Sequence, residues 1–323
     1  MNDRQILQVH IGKHFRLPKL RRGIKSIVFD LDETIGSFSD LHILWTGIEN
    51  IMASSDKDQQ NIFNTILDLY PEFLRYGIIS IFDYLMAKKK QAIYDKMYLY
   101  TNNHCPPPWV SLLCNYIQSK LKNTDGELFD KIITAFKMNK KTLEIPRTTA
   151  HKTHSDFIRC SLLPATTEIC FIDDSYHTNM IDDRVYYIQP APYHHGLKHE
   201  TIIQRLIHSD IGSQISDFFA RSNVDLREPS KNNEKLAGFL ADWFGNDLCA
   251  QSNAYPPHKN MEQDIFVSQK MMYHIKEFLF YNSRSSNKTR KKAPSCKKQY
   301  YYYWNEFRKT RKRVSRTSVK VFN

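Results

Sequence analysis

The chain has 323 residues, of which 41% are apolar and 25% charged, with a formal net charge of +12. This length suffices for one large or two modest domains with a sizeable core. No apolar run of about 18 residues occurs, and the N-terminus lacks the apolar segment of a secretory signal. We therefore expect an intracellular protein of the cytoplasm or nucleus, neither secreted nor membrane-bound. The six cysteines form no CxxC pair, which argues against a disulfide framework.

The positive charge is concentrated near the end of the sequence. From Arg284 onward there are 14 Lys and Arg residues and a single acid, Glu306, which gives +13. Subtracting this from the total of +12 leaves −1 on the remainder. We predict a disordered basic tail over residues 282–323. Its cations interleave with aromatic residues, which suits nucleic-acid contact through residues 284–320. A nuclear-import signal and a solvated tail without a dedicated partner are the alternatives.

The pattern of apolar residues predicts an α/β fold. Residues 1–22 are interpreted as an arm or a first short element, and residues 23–199 as the core. The predicted strands are Lys25–Phe29, Met97–Tyr100, Ile132–Phe136, Glu168–Ile172 and Val185–Ile188. The predicted helices lie between residues 41 and 91, with one running from Pro71 through Ala87, and at 106–121, 201–219, 234–244 and 261–281. Alternating strands and helices are typical of a doubly wound, mostly parallel sheet. Residues 200–281 form a helical C-terminal extension, with a polar linker at 226–233.

Polar residues follow three of the predicted strands. The stretch from Ile27 reads IVFDLDETI, in which Asp30 and Asp32 end the first strand. Buried carboxylates this close are costly unless a cation lies between them. Thr101 follows the second strand, and Asp173-Asp174 follow the fourth. Ligands of doubly wound sheets bind at the carboxyl ends of the strands, so these residues predict a site for a charged ligand.

These residues, together with Lys152, resemble motifs I to IV of the haloacid-dehalogenase superfamily over about residues 24–192. The resemblance implies a Rossmann-like core and a phosphatase dependent on Mg²⁺. Asp30 would be the nucleophile that forms an aspartyl-phosphate, and Asp32 the general acid and base. Asp173 and Asp174 would supply hard oxygen ligands to Mg²⁺, together with Asp30 and the main-chain carbonyl of Asp32.

The remaining predicted contacts are to the phosphoryl group. Thr101 and the backbone N–H of Asn102 would hold a phosphoryl oxygen. Lys152 would neutralise the transferred group and lower the pKa of Asp30. Other interpretations stay open: a solvated turn at Asp30 and Asp32, a hydroxyl turn at Thr101 and a helix N-cap at Asp173-Asp174. Three nearby cations, Lys140, Lys141 and Arg147, are alternatives to Lys152, which is otherwise a solvated surface lysine. A zinc site is a further alternative, with His194, His195 and His199 as its ligands. Two histidines beside Lys152, His151 and His154, are candidates for steering the substrate or are solvated.

Residues 41–70 lie where many members of this superfamily insert a cap. The insert is small, which predicts an open site suited to a phosphorylated macromolecule. The sequence FDLDET resembles motif I of the serine/threonine phosphatases that act on the C-terminal domain of RNA polymerase II, although Ile35-Gly36-Ser37 departs from their continuation. The overall pattern also resembles superfamily proteins of large DNA viruses. The leading hypothesis is a phosphoprotein phosphatase. The alternatives are a nucleic-acid end phosphatase that uses the basic tail and a non-catalytic scaffold that binds nucleic acid or protein.

Overall fold

The structure, a computed structural model, describes residues 6–16, 23–52, 58–122, 126–222, 232–246 and 261–281. The predicted basic tail and most of the predicted linker at 226–233 lie outside these ranges.

The apolar runs form the strands of one mixed six-stranded sheet, ordered β1-β8-β7-β2-β3-β4. Its strands are β1 (Leu7–Ile11), β2 (Lys25–Phe29), β3 (Lys96–Tyr100), β4 (Lys131–Ile133), β7 (Glu168–Ile172) and β8 (Val185–Pro190), and a separate hairpin consists of β5 (Lys137–Met138) and β6 (Lys141–Thr142). Every pairing from β8 to β4 is parallel, whereas β1 runs antiparallel to β8. The α/β class and the mostly parallel sheet are therefore confirmed, with one antiparallel edge strand.

The N-terminal residues contribute that edge strand. We predicted an arm or a short first element over residues 1–22, and Leu7–Ile11 form β1. None of the five residues of β1 is fully buried, because an edge strand has a neighbour on one side only. The sequence LQVHI does alternate apolar and polar residues, but five residues are a short pattern on which to identify a strand.

The helices are α1 (Ser39–Ile51), α2 (Gln59–Leu69), α3 (Ile78–Lys90), α4 (Pro107–Ser119), α5 (His154–Ser161), α6 (His199–Ile207), α7 (Asp210–Ser222), α8 (Asn232–Asn246) and α9 (Met261–Phe280). Within the described ranges, none combines the length and apolarity needed to cross a membrane.

Two predicted helices are broken in the structure. The helix expected from Pro71 through Ala87 starts as a 3₁₀ turn, Pro71–Phe73, and α3 begins only after Gly77, which has φ 75°. The left-handed backbone at Gly77 ends the first turn, and glycine adopts it without steric cost. The helix expected over 201–219 divides at Ser209, whose side chain accepts a hydrogen bond from the Gly212 N–H at 3.0 Å. This bond starts α7 in the manner of an N-cap.

Helices from different parts of the sequence share one core with the sheet. The residues predicted as a cap, 41–70, form α1 and α2, which pack against α4, α6, α7 and α8. Helix α9 packs against β8 and β1. Lys25, at the start of β2, donates from Nζ to the carbonyls of Phe278 and Leu279 at 2.9 and 2.8 Å. A cation at these last carbonyls complements the helix dipole and attaches the C-terminal extension to the sheet.

Candidate active site

Three adjacent parallel strands bring the predicted acids to one edge of the sheet. Strand β2 lies between β7 and β3, so Asp30, Asp173 and Thr101 follow neighbouring strands at the same edge. The Asp30 N–H donates to the Ile172 carbonyl at 2.9 Å, which extends the ladder between β2 and β7 to the first acid. The predicted convergence of these residues is therefore present in the fold.

Lys152 joins the two acids that end β2 and β7. Its Nζ donates to Asp30 Oδ1 and, at 2.6 Å, to Asp173 Oδ2. The three side chains are 3%, 10% and 0% exposed, so the contact is shielded from solvent. Lys152 directly precedes Thr153, the N-cap of α5. This short helix fixes the backbone that carries the lysine into the site.

The acids can also surround a cation. One carboxylate oxygen from each of Asp30, Asp173 and Asp174 lies within 4.8 Å of the others, and no other group of this kind occurs in the described part of the chain. Asp174 Oδ1 accepts a hydrogen bond from Thr34 Oγ1 at 2.9 Å, and the Asp174 N–H donates to the same hydroxyl at 2.9 Å. Three hard oxygen donors with their orientation fixed are a donor set that fits Mg²⁺.

The charge balance supports the same fit. Burial raises the pKa of Asp30 well above its usual value, and the Asp173 and Asp32 charges add to this, while Lys152 opposes it. Burial and the Asp173 charge likewise raise the pKa of Asp174. Burial also acts to raise the pKa of Asp173, but Lys152 and His177 together bring it below its usual value. Lys152 lowers the pKa of Asp30 as we expected, but desolvation is the larger effect, so the net pKa lies above the usual value and not below it. The raised pKa values of Asp30 and Asp174 mean that their ionised forms are unfavourable unless a further cation is present.

Asp32 lies apart from this carboxylate group. Its Oδ2 accepts a hydrogen bond from Asn103 Nδ2 at 2.9 Å. Burial raises the pKa of Asp32, while the Asn103 hydrogen bond and the Lys152 charge oppose the rise. A carboxyl with a raised pKa retains a proton closer to neutral pH, which is the state that a general acid requires. The side chain is thus placed for proton transfer, and the metal contact suggested by resemblance concerns only its main-chain carbonyl.

The predicted phosphate loop is held by a buried arginine. Arg147, 2% exposed, donates to the Thr101 and Thr134 carbonyls at 3.3 and 2.7 Å and to Asn102 Oδ1 at 2.7 Å. Thr101 Oγ1 accepts from the Asn103 N–H at 2.9 Å, as the hydroxyl-turn interpretation expected. The hydroxyl proton of Thr101 remains a donor, so this turn is compatible with phosphate binding.

A second buried arginine shapes the loop after Asp32. Arg75 donates from Nε to the Thr34 carbonyl at 2.6 Å and from Nη2 to the carbonyls of Glu33 and Ala191 at 2.5 and 2.8 Å. Glu33 has φ 53°, a left-handed conformation that is uncommon outside glycine. Burial, with the charges of Asp32 and Asp174, raises the pKa of Glu33 to about 8. Arg75 thus fixes a bend that turns Thr34 back toward Asp174.

The other candidates lie elsewhere or have structural partners. His195 Nδ1 accepts from the Leu197 N–H at 2.9 Å, so Nε2 carries the ring proton and faces Asp40 Oδ2 at 3.1 Å. His199 Nε2 lies 3.3 Å from the same oxygen. A protonated Nε2 cannot ligate zinc, so the neutral His195 ring lies here with its Nε2–H beside Asp40. Of the competing cations, Lys140 and Lys141 are exposed on the β5–β6 hairpin.

Three residues of the site were not predicted as functional: Asn103, Arg147 and His177. His177 Nε2 lies 3.2 Å from Asp173 Oδ2. Asn103 directly follows the predicted Thr101 and Asn102, and His177 lies four residues after the predicted Asp173, so nearness in sequence was a signal for both. Arg147, considered only as a surface alternative to Lys152, is brought to the phosphate loop by the fold.

Comparison of the chain with protein-family models, with curated proteins and with solved structures finds no match.

Proposed function

We propose that this chain is a Mg²⁺-dependent phosphatase that hydrolyses a phosphomonoester of a macromolecule through an aspartyl-phosphate on Asp30. The observation that carries the proposal is the position of Lys152 Nζ between Asp30 and Asp173, with Asp174 completing the carboxylate group. A carboxylate can attack a dianionic phosphate only if the phosphate charge is neutralised. One lysine does not balance three acids, so a divalent cation would share in neutralising the phosphate charge.

The residues divide the work of the reaction. Asp30 would be held by Lys152 while a carboxylate oxygen attacks phosphorus and the bond to the leaving oxygen breaks. Asp32 would give its proton to that leaving oxygen. Water would then attack the phosphorus of the aspartyl-phosphate as Asp32 takes back a proton, which releases inorganic phosphate and regenerates both carboxyl groups. Asn103 would hold the Asp32 carboxyl in one orientation through both steps.

The remaining side chains would bind rather than react. Asp30, Asp173 and Asp174 would hold Mg²⁺, with the main-chain carbonyl of Asp32 as the resemblance implies. Mg²⁺ would neutralise and orient the phosphoryl oxygens when bound. The Thr101 hydroxyl and the Asn102 N–H would take a phosphoryl oxygen, and Arg147 keeps these two residues in place. Asp32 and Asn103 are partly exposed, which supports access for a substrate from solvent.

The test is hydrolysis of p-nitrophenyl phosphate by the purified chain with and without Mg²⁺. We expect phosphate release that needs Mg²⁺ and is abolished in Asp30→Asn, while Asp68→Asn, the same change at an exposed position, retains it. A covalent adduct of beryllium fluoride at Asp30 gives a second readout that does not depend on the chosen substrate. Equal activity of Asp30→Asn and the unchanged chain would exclude the aspartyl-phosphate route.

A further inference from the structure

A cationic hairpin rises beside the predicted phosphate loop. Strand β4 lies next to β3 at the edge of the sheet, and the chain leaves β4 at the end where Thr101 leaves β3. It then forms the lysine hairpin, residues 136–143, which the Leu143 N–H closes on the Phe136 carbonyl at 3.0 Å. Asn139 and Lys140 form its turn with φ 48° and 66°, the backbone of a type I′ hairpin.

The base of the lysine hairpin is connected to the candidate site. Arg147, four residues beyond the hairpin, donates to Thr134 at one end of the segment and to Thr101 and Asn102 in the phosphate loop. These bonds attach the residues just before and just after the hairpin to the phosphate loop. The base of the hairpin therefore lies next to the site.

The lysine hairpin carries cations that the described residues do not neutralise. Lys137, Lys140 and Lys141 are exposed. Lys137 Nζ lies 4.7 Å from the centre of the Phe136 ring, and no carboxylate in the described part of the chain pairs with any of the three. Lys141 pairs across the hairpin with Met138, Lys137 pairs with Thr142, and Lys140 lies in the turn. The three ammonium groups thus surround the tip and are available to a polyanion.

An exposed aromatic ring lies on the opposite flank of the site. Tyr176 is 52% exposed and lies between Ser175 and His177, which both contact Asp173. Its ring is nearly parallel to that of Tyr187, with the centres 6.3 Å apart and 7° between the planes. The His10 ring lies 5.1 Å away. The Tyr176 ring is therefore held in place while much of it stays open to solvent.

We infer that the lysine hairpin and Tyr176 form a binding surface for single-stranded nucleic acid, and that the substrate is the terminal phosphate of such a strand. This rests on the proposed function. The terminal phosphate would lie at Asp30, in the middle of the edge. A base would stack on Tyr176, beside β7. Backbone phosphates would contact the hairpin lysines beyond β4, which lies two strands from β2, or about 10 Å.

The chemistry of the two flanks favours a nucleic acid over a phosphopeptide. Lysines alternating around a tip match the repeated charge of a phosphodiester backbone, and an open ring accepts any base by stacking. Peptides are held chiefly by main-chain hydrogen bonds to a sheet edge or by apolar pockets. The two flanks of the site instead offer three exposed lysines and an exposed aromatic ring.

Binding is tested with the full chain and labelled DNA single strands of about 12 nucleotides, carrying a 5′- or 3′-phosphate, in EDTA so that no turnover occurs. We expect Lys137→Gln, Lys140→Gln and Lys141→Gln together to weaken binding about tenfold, and to reduce the slope of log affinity against log salt by about 2, at about 0.7 for each phosphate contact. The matched control replaces Lys13, Arg16 and Lys90 by Gln. These three residues are exposed, and their replacement removes the same charge. Lys13 and Arg16 follow β1, at the edge of the sheet opposite β4, and Lys90 ends α3 on the side where β3 begins. The control should change neither quantity.

Tyr176 gives an independent test of the second flank. Tyr176→Ala should weaken binding about tenfold, whereas Tyr176→Phe, which keeps the ring, should bind as the unchanged chain does. If the control triple variant weakens binding as much as the hairpin variant, or if Tyr176→Ala has no effect, the proposed surface is wrong.

Hydrolysis separates this inference from the proposed function. With Mg²⁺, kcat/KM of the hairpin variant on the phosphorylated oligonucleotide should fall about tenfold relative to its own kcat/KM on p-nitrophenyl phosphate. A selective loss on an acidic phosphoserine peptide instead would overturn the nucleic-acid assignment and leave the phosphatase proposal intact. If binding depends on the lysines but no substrate is hydrolysed, the surface is upheld and the phosphatase proposal fails.

Discussion

Replacement of Lys152 by Met tests the site without any assumption about its substrate. Met is close in size to the aliphatic part of Lys and removes the ammonium group that contacts both Asp30 and Asp173. All three side chains are at most 10% exposed. Breaking a buried ion pair by removing one partner costs about 3–5 kcal/mol, because the remaining charge has neither water nor a counter-charge. We expect a loss of that size in the free energy of unfolding at pH 8 without Mg²⁺.

The loss should shrink as the pH falls. Burial already raises the pKa of Asp30 above its usual value. Lys152 opposes this rise, and the opposition is lost in Lys152→Met. A carboxyl with a raised pKa in the folded state binds more protons there than in the unfolded chain. Stability therefore falls as pH rises from the unfolded pKa through the raised folded pKa, by at most about 1.4 kcal/mol per pH unit for each proton. At pH 5 the variant should have recovered much of its loss.

Urea unfolding of the unchanged chain and of Lys152→Met at pH 5 and pH 8 measures both effects. Lys122→Met, at an exposed position, is the control and should stay within about 0.5 kcal/mol of the unchanged chain. A loss below about 1 kcal/mol at both pH values would refute the reasoning, since that is the behaviour of a solvated surface lysine.

Two further predictions concern single hydrogen bonds. Asn103→Ala removes a donor whose hydrogen bond favours the ionised form of Asp32. The protonated form of Asp32 should therefore persist to higher pH, and the alkaline limb of the kcat/KM profile should move with it. An unchanged limb, or one that moves to lower pH, would contradict the role of Asp32 as general acid. Lys25→Met removes both bonds to the last carbonyls of α9, and should speed hydrogen exchange in residues 261–281 more than in β3. A uniform increase across the chain would mean that Lys25 stabilises the whole fold and not the attachment of α9.

The sequence predicts which residues follow the strands and therefore lie at the carboxyl edge of the sheet. Apolar runs identify β2, β3 and β7, and parallel pairing then brings Asp30, Thr101 and Asp173 together. Parallel pairing places their carboxyl ends at one edge of the sheet, whereas the adjacency of β7 and β2 is seen only in the structure. The metal, the reaction and the roles of these residues remain predictions.

The contacts across the site could not be read from spacing. Asn103 reaches Asp32, and Arg147 reaches Thr101 and Asn102, through folding of loops with no periodic pattern. Spacing before Asp173 favoured Lys152 in the sequence, with Lys140, Lys141 and Arg147 as alternatives. Burial decides between them, because Lys152 and Arg147 are each 2% exposed while Lys140 and Lys141 lie on the hairpin surface. Burial of a single loop residue depends on the whole fold.

Asp174 provides a test of whether the acids form a metal site or a structural cluster. Burial and the Asp173 charge raise its pKa, so the ionised side chain destabilises the metal-free fold. Asp174→Asn removes the charge and can keep the reciprocal hydrogen bonds with Thr34, because its carbonyl oxygen still accepts. Without Mg²⁺ the variant should therefore melt at a higher temperature than the unchanged chain. Addition of Mg²⁺ should stabilise the unchanged chain by mass action and the variant much less.

The contrary result has an equally clear meaning. If Asp174→Asn melts lower and Mg²⁺ stabilises both proteins equally, the carboxylate serves the fold through Thr34 and does not hold the cation. We expect the metal-free fold to be destabilised by Asp174 because a site that binds a divalent ion must keep negative groups closer together than folding alone favours. Glu49→Gln, whose carboxyl is also desolvated but lies outside the carboxylate cluster, is the matched control: its melting temperature should respond to Mg²⁺ as that of the unchanged chain does.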